Sequence, residues 1–313
     1  MKIAIEILST REEPSTTNIQ AMKDTFVSLS NTIKLENTYD FYFYYGGYSL
    51  NEIENDFVVE KDDMYENCYS IKIPIEESIY NTFEKTIPVF EKITGYDWYI
   101  RINISCYLNI LLLDKILMQL DKNTVYCNAI NSYINDERYF NNIYPRGDMI
   151  IFSDETRKGI VEHSKKYIRC DIALEDRISI PHVDDCLIGL CLIDYFGKTY
   201  YEHLQMLEYN FLPEPNETFN IVNFNKDTLA SRVKTLPPGI GYSGYSWKNN
   251  DYRKFDAKKM KFINNIVLKY KNTYNSINIK NLFSYKRNTL FVSLSQKDIL
   301  YFNQYLNNRK YKK

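Results

Sequence analysis

The chain opens on KIAIEIL (residues 2–8), an apolar run broken only by Glu6 and stopped by Ser9-Thr10-Arg11, which predicts a central parallel strand covered on both faces. Ile19, Met22, Phe26 and Leu29 then recur at helical spacing over residues 18–29, and an aromatic run at 39–45 ends at Gly46-Gly47. These three segments read as a β-α-β unit. Residues 51–69 are acidic and irregular in pattern. Residues 78–93 place Ile79, Phe83, Thr86, Phe90 and Ile93 near one helical face, with Pro88 expected to kink or break the helix. A strand is predicted at 96–102 and a helix at 108–119. Strand, turn and helix recur at 124–130, at 149–152 with 154–165, and at 185–195. Such alternation predicts an α/β sandwich around a mostly parallel sheet. The pattern lapses at 213–250, where LPPGIGYSGYSW predicts a mobile loop. Phe255, Phe262, Ile263, Ile266, Val267 and Tyr270 then form the apolar stripe of a basic amphipathic helix, followed by a predicted strand at 289–294 and helix at 297–307. No internal repeat interrupts this order.

Composition narrows the picture. With 313 residues, 44% hydrophobic and 25% charged, the chain is neither disordered nor collagen-like and is long enough to bury a core without staples. The 29 Tyr and 17 Phe, with many Asn, Ile and Lys, follow the bias of AT-rich coding DNA and carry no functional weight. No run of 18 apolar residues occurs, and Met1 leads straight into a strand without a basic leader, so a cytoplasmic protein is expected. Six cysteines without a CxxC pair read as reduced core thiols. The net charge of −1 conceals an asymmetry. Residues 252–313 hold 15 Lys and Arg against two acids, Asp256 and Asp298, leaving an acidic remainder. A basic C-terminal lobe of this kind suits a polyanion, an anionic membrane surface or intramolecular docking.

Motifs exclude several chemistries. GxxxxGK[ST], HExxH and GxSxG are all absent, so P-loop, zincin and α/β-hydrolase mechanisms lack support. With three histidines and no Cys/His cluster, a structural zinc site is not expected, and His163 reads as an exposed helix residue. The informative segment is Asp184-Asp185 followed by the apolar run CLIGLCL. Adjacent acids at the start of such a run either cap a helix or do chemistry.

The nonamer DDCLIGLCL resembles the (E/D)DVxxGLCL segment of GT-A glycosyltransferases of the β-1,3-galactosyltransferase and Fringe family. Four further segments fall in the same order: AMKDTF (21–26), YNTFEKT (80–86), YDWYIRINISCYLN (96–109) and YPRGDMIIFS (144–153). The resemblance covers residues 1–205, about two thirds of the chain, and implies a GT-A (Rossmann-like) core over 1–212. A site-closing loop region at 213–250 and a basic α/β extension at 251–313 would follow. It implies a hexosyltransferase taking a nucleotide sugar, UDP-linked, with a glycan, glycolipid or protein as acceptor. The family's eukaryotic members are Golgi-anchored, and since no anchor is read in this sequence, an AT-rich bacterium, phage or large DNA virus is the source expected.

The same resemblance assigns candidate residues. Asp185 stands at the catalytic base of an inverting transfer, and Asp184 beside it would orient the acceptor or cap the helix. Ser9, Thr10 and Arg11 would contact the nucleotide. The three acids with which the family holds Mn2+ align with Asn103, Ile104 and Ser105, which leaves Mn2+ or Mg2+ without its usual ligands. His203 falls where the family supplies a histidine metal ligand. Fixed cations are then expected at the diphosphate: Arg101, and Arg232 with Lys234 on one face of an extended segment, with a solvated surface pair the alternative for the latter two. Asn103 and Ser105 could still hydrogen-bond ribose or phosphate. Two rival readings stay open: an inactive nucleotide-sugar or glycan-binding module, and a nucleic-acid-directed glycosyltransferase using the basic lobe.

Overall fold

A computed structural model describes residues 1–12, 15–49, 57–78, 81–127, 130–132, 143–168, 184–212, 225–235 and 254–283. The chain begins with β1 (Lys2–Leu8), α1 (Ser15–Met22), a π-helical turn (Lys23–Val27), α2 (Ser28–Thr32), β2 (Thr38–Tyr45), β3 (Val58–Lys61), β4 (Cys68–Lys72) and α3 (Thr82–Lys92). Next come β5 (Trp98–Asn103), β6 (Cys106–Leu108), α4 (Ile110–Ile116), β7 (Val125–Cys127), β8 (Ile130–Ser132), β9 (Ile143–Pro145), β10 (Met149–Ser153) and α5 (Asp154–Ser164). After these follow α6 (Asp184–Phe196), β11 (Leu204–Met206), β12 (Tyr209–Phe211), β13 (Ala230–Arg232) and α7 (Lys254–Lys269).

Eight strands form one sheet in the order β11-β7-β10-β5-β1-β2-β4-β3. Only β10 and β3 run against the rest, so the sheet is mixed but mostly parallel, as the alternation predicts. The central strand shows why. Ile3, Ile5 and Ile7 of β1 point into one core with Met22, Phe26, Leu112, Met260 and Ile263, beneath α1, α4 and α7. Ala4 enters the opposite core with Tyr44, Phe83, Phe90, Ile160 and Ile188, beneath α3, α5 and α6. Each fully buried side chain of this size contributes about 1.5–3 kcal/mol, and a strand covered on both faces draws on two cores at once. A second sheet, β12-β13-β6, is built off the end of β5, with Arg232 opposite Cys106.

Several expectations change. The acidic stretch at 51–69 contains β3 and the start of β4, whose partly polar faces at the sheet edge gave no apolar alternation to read. The helix expected at 18–29 is interrupted by the π-turn, where Thr25 (φ −111°, ψ −105°) donates its hydroxyl to the Ala21 carbonyl at 2.7 Å. Such back-bonding competes with the helix ladder. Pro88 does not break α3, which runs from Thr82 to Lys92. The predicted loop at 213–250 includes β13, a buried strand. The segments expected at 289–294 and 297–307, and the LPPGIGYSGYSW stretch, lie outside the described residues. Five cysteines, 68, 106, 127, 186 and 191, are free and buried. Among the described residues no helix is long and apolar enough to cross a membrane.

Candidate functional site

Open α/β sheets bind ligands beyond the carboxyl ends of their parallel strands. Here that edge carries the residues after β1, β2, β4 and β5, together with the chain entering antiparallel β10, and the charged candidates gather there.

Arg101, on β5, is 1% exposed and forms an ion pair with Asp184, the first residue of α6. The same guanidinium donates to the Gly147 carbonyl. Gly147 in turn donates its N–H to Asp185 Oδ2 at 2.9 Å, and the Cys186 N–H meets Asp185 Oδ1 at 3.0 Å. Thr86 on α3 donates to Asp184 Oδ2 at 3.4 Å and shares a 3.1 Å hydrogen bond with Tyr44. The two acids therefore anchor the N-terminus of α6 to β5 and to the turn before β10. A Cβ at 147 would crowd the Arg101 guanidinium and the Asp185 side chain, so glycine lets both pack against this turn. Burial, and then the neighbouring Asp184 charge, push the Asp185 carboxyl up to about 6, despite the Gly147 N–H and Arg101, which oppose the shift. Each carboxylate oxygen keeps an acceptor lone pair beyond its backbone bond.

A second group surrounds Asp148. Arg232 of β13 pairs with Asp148 Oδ1, and Arg146 reaches Oδ2 at 2.7 Å. Arg232 and Lys234 are 5% and 4% exposed, so the solvated-pair alternative is excluded: the segment is an interior strand. The turn from β5 to β6 lies alongside, where the Asn103 N–H donates to the Asp148 carbonyl at 3.2 Å and the Val233 N–H to the Ser105 carbonyl at 2.9 Å. Asn103 Oδ1 accepts from the Ser105 N–H at 3.2 Å and from its hydroxyl at 2.9 Å. Two candidate sets separated by more than a hundred residues thus meet at one edge.

The third group follows β1. Ser9 is buried, with its hydroxyl turned to the Thr10 carbonyl, whereas Arg11 is exposed. Thr10 Oγ1 donates to Ser15 Oγ at 2.7 Å. Arg11 donates to the Gly47 carbonyl at 2.6 Å and lies 4.2 Å over the Tyr48 ring, joining the ends of β1 and β2. Lys85 on α3 is 2% exposed, pairs with Glu77 and reaches the Ser9 carbonyl at 3.4 Å.

His203 is the misplaced candidate. It follows α6, stacks on Phe196 at 4.2 Å between ring centroids, and shares a hydrogen bond of 2.6 Å between Nδ1 and the Asn123 carbonyl. Asn123 precedes β7 and His203 precedes β11, so both lie at the amino ends of the parallel strands. The 13-residue α6, about 20 Å long at 1.5 Å per residue, separates them from Asp184 and Asp185. Proximity in sequence to the acid pair was the wrong guide, because a helix carries the chain across the whole sheet.

The residues at the β5–β6 turn do not fit the divalent ion that the family resemblance implies. Asn103 Oδ1 is already taken by Ser105, Ile104 is apolar and buried, and the carboxylates of Asp148 and Asp184 are bound by arginines. Among the described residues, no three His, Cys, Asp or Glu side chains are grouped to hold a metal.

Sequence reading missed Gly147, Arg146, Lys85 and Glu6. The signal for Glu6 was its position as the one acid within a strand otherwise apolar. It is fully buried, both its carboxylate oxygens lack a hydrogen-bond partner among the described residues, and it sits opposite Arg101 in the β1–β5 register.

No family model matches this sequence, and no curated protein matches it. Similar solved structures include the galactosyltransferase LgtC in complex with donor and acceptor sugar analogues, at 12% identity over 84% of this chain and 95% of that one, TM-score 0.43. A glycosyltransferase involved in glycosylation of the major capsid of PBCV-1 is 12% identical over 82% and 99%, TM-score 0.41. Mouse xyloside xylosyltransferase 1 is 8% identical over 74% and 97%, TM-score 0.42.

Proposed function

We propose that this chain is a GT-A glycosyltransferase that moves a hexose from a nucleotide sugar, UDP-linked, to an acceptor hydroxyl with inversion and without a bound metal. The observation that carries the reading is the convergence of a buried acid pair, Asp184 and Asp185, with Arg101, Arg232 and Lys234 at the carboxyl edge of a mostly parallel sheet. One edge thereby holds both a base and the positive charge that a leaving diphosphate demands.

In the proposed reaction the acceptor oxygen attacks C1 of the sugar as its proton passes to the Asp185 carboxylate. The bond from C1 to the diphosphate oxygen breaks on the opposite face, through an oxocarbenium-like transition state. A carboxyl raised to about 6 is a stronger base than an ordinary aspartate and is still ionised near neutrality. Asp184, held by Arg101, fixes the start of α6 and hence the aim of Asp185. Arg232 and Lys234 offset the charge that develops on the leaving group, in place of the absent acidic metal ligands.

Thermal shift and product release against a panel of nucleotide sugars, with EDTA and with Mn2+, test the proposal. Turnover of one UDP-sugar that persists in EDTA, giving a product of inverted anomeric configuration by NMR, is the expected result. Binding without turnover for any acceptor class would return the chain to a binding module.

A further inference from the structure

Glu6 follows Ala4 by two positions on β1 and so shares the face covered by α3, α5 and α6, where no part of it reaches solvent. Strand register sets it between Tyr42 of β2 and Arg101 of β5. Both its carboxyl oxygens lack a hydrogen-bond partner among the described residues, and so does Arg101 Nε on the neighbouring strand. Two cations act on Glu6, and each already holds another carboxylate: Arg101 is paired with Asp184, and Arg157 of α5 with Asp154 at 2.9 Å. Its other titratable neighbours are phenols, Tyr42 and Tyr44 from β2 and Tyr99 from β5, all kept neutral by burial. Helix α3 adds the neutral Thr86, bonded to Tyr44 and Asp184, and α6 brings the acid pair against Arg101. A buried carboxylate with no cation of its own is costly, so Glu6 keeps its proton where an exposed glutamate has released it.

We propose that Glu6 is a positioning residue for the acid pair Asp184 and Asp185, acting through Arg101. As a neutral acid it leaves the Arg101 guanidinium to Asp184. Once ionised it competes for the same guanidinium, through the unpartnered Nε, and adds a like charge beside the pair. Because Arg101 also holds the Gly147 carbonyl, and the Gly147 N–H fixes Asp185 Oδ2, that competition reaches both acids and loosens the aim of Asp185. The inference rests on the role proposed above for Asp185. It sets an alkaline limit to the working range from a residue of the central strand, beneath the acids.

Two readings of the full chain test it. In the profile of kcat/KM against pH, the unaltered enzyme should lose activity above about 8, reaching about a tenth of its plateau one pH unit higher, where about one Glu6 in ten keeps its proton. Glu6→Gln, which cannot ionise, should lack this alkaline limb and retain the acid limb set by Asp185. Glu6→Met, of similar length and likewise without charge, should behave as Glu6→Gln does. Carbon-13 NMR of the aspartate carboxyls, assigned through Asp184→Asn and Asp185→Asn, follows the pair with no substrate present. Their shifts should step as pH passes about 8 in the unaltered protein and in neither Glu6 variant. A purely structural role would change the melting temperature and move neither reading. Absence of the alkaline limb or of the carboxyl step in the unaltered protein, or their persistence in both variants, would overturn the inference. Should no nucleotide sugar be turned over, the proposed reaction falls, and the carboxyl titration still decides whether Glu6 acts on the pair.

Discussion

Arg101 and Asp184 form an ion pair with both side chains buried, linking the middle of the sheet to the first residue of α6. Neither member can be removed alone without stranding the other's charge.

Arg101→Gln should destabilise the fold by about 3–5 kcal/mol, because it leaves the Asp184 carboxylate uncompensated and deprives the Gly147 carbonyl of its donor. Adding Asp184→Asn to that variant should recover part of the loss, since the stranded charge then disappears. Denaturant unfolding of both single variants and the double variant measures the coupling, and strictly additive losses would contradict it.

Asp185→Asn should lower turnover by on the order of 100-fold or more while nucleotide-sugar affinity stays within a few-fold. The Asp185 carboxyl is raised to about 6, so kcat/KM of the unaltered enzyme should fall as pH drops below that value, where the base is protonated. The Asn variant should lose this acid limb. A variant that fails to fold would identify Asp185 as an anchor for α6 and Gly147 alone.

Arg232→Gln and Lys234→Gln should each lower turnover by about 2–4 kcal/mol in the transition state, as for loss of a donor to developing negative charge. Since Arg232 also neutralises Asp148, the Arg232→Gln, Asp148→Asn pair separates the two effects. A double variant with restored stability but low turnover assigns the cation to the leaving group.

Glu6 provides a pH signature in stability. Burial pushes its carboxyl up to about 8 from an ordinary 4.5, against the opposing charges of Arg157 and Arg101. The folded protein therefore keeps this proton where the unfolded chain has released it. The stabilisation is fully present below about 4.5 and is lost as pH rises through about 8. Glu6→Gln should flatten that decline and raise the melting temperature near pH 8, with little effect near pH 4, in thermal unfolding followed across the range.

Much of the architecture was written in the order of residues. The apolar run of residues 2–8, the aromatic strand ending at Gly46 and the apolar run after Asp184-Asp185 specify elements by local periodicity, which is a property of neighbouring side chains. A local signal, adjacent acids before an apolar run, also marked Asp184 and Asp185, whereas the departure at Asn103 and Ser105 was visible only against the family resemblance. Which residues meet was decided elsewhere. Asp148 lies between Arg146 and Arg232 because β13 adds to β6 and not to the main sheet, a pairing that depends on contacts across more than a hundred residues. His203 ends at the opposite edge from Asp185 because α6 spans the distance between them, whatever their closeness in sequence. Periodicity fixes what a segment becomes; strand order, which only the folded chain sets, determines which charges neutralise one another and which remain to act on a substrate.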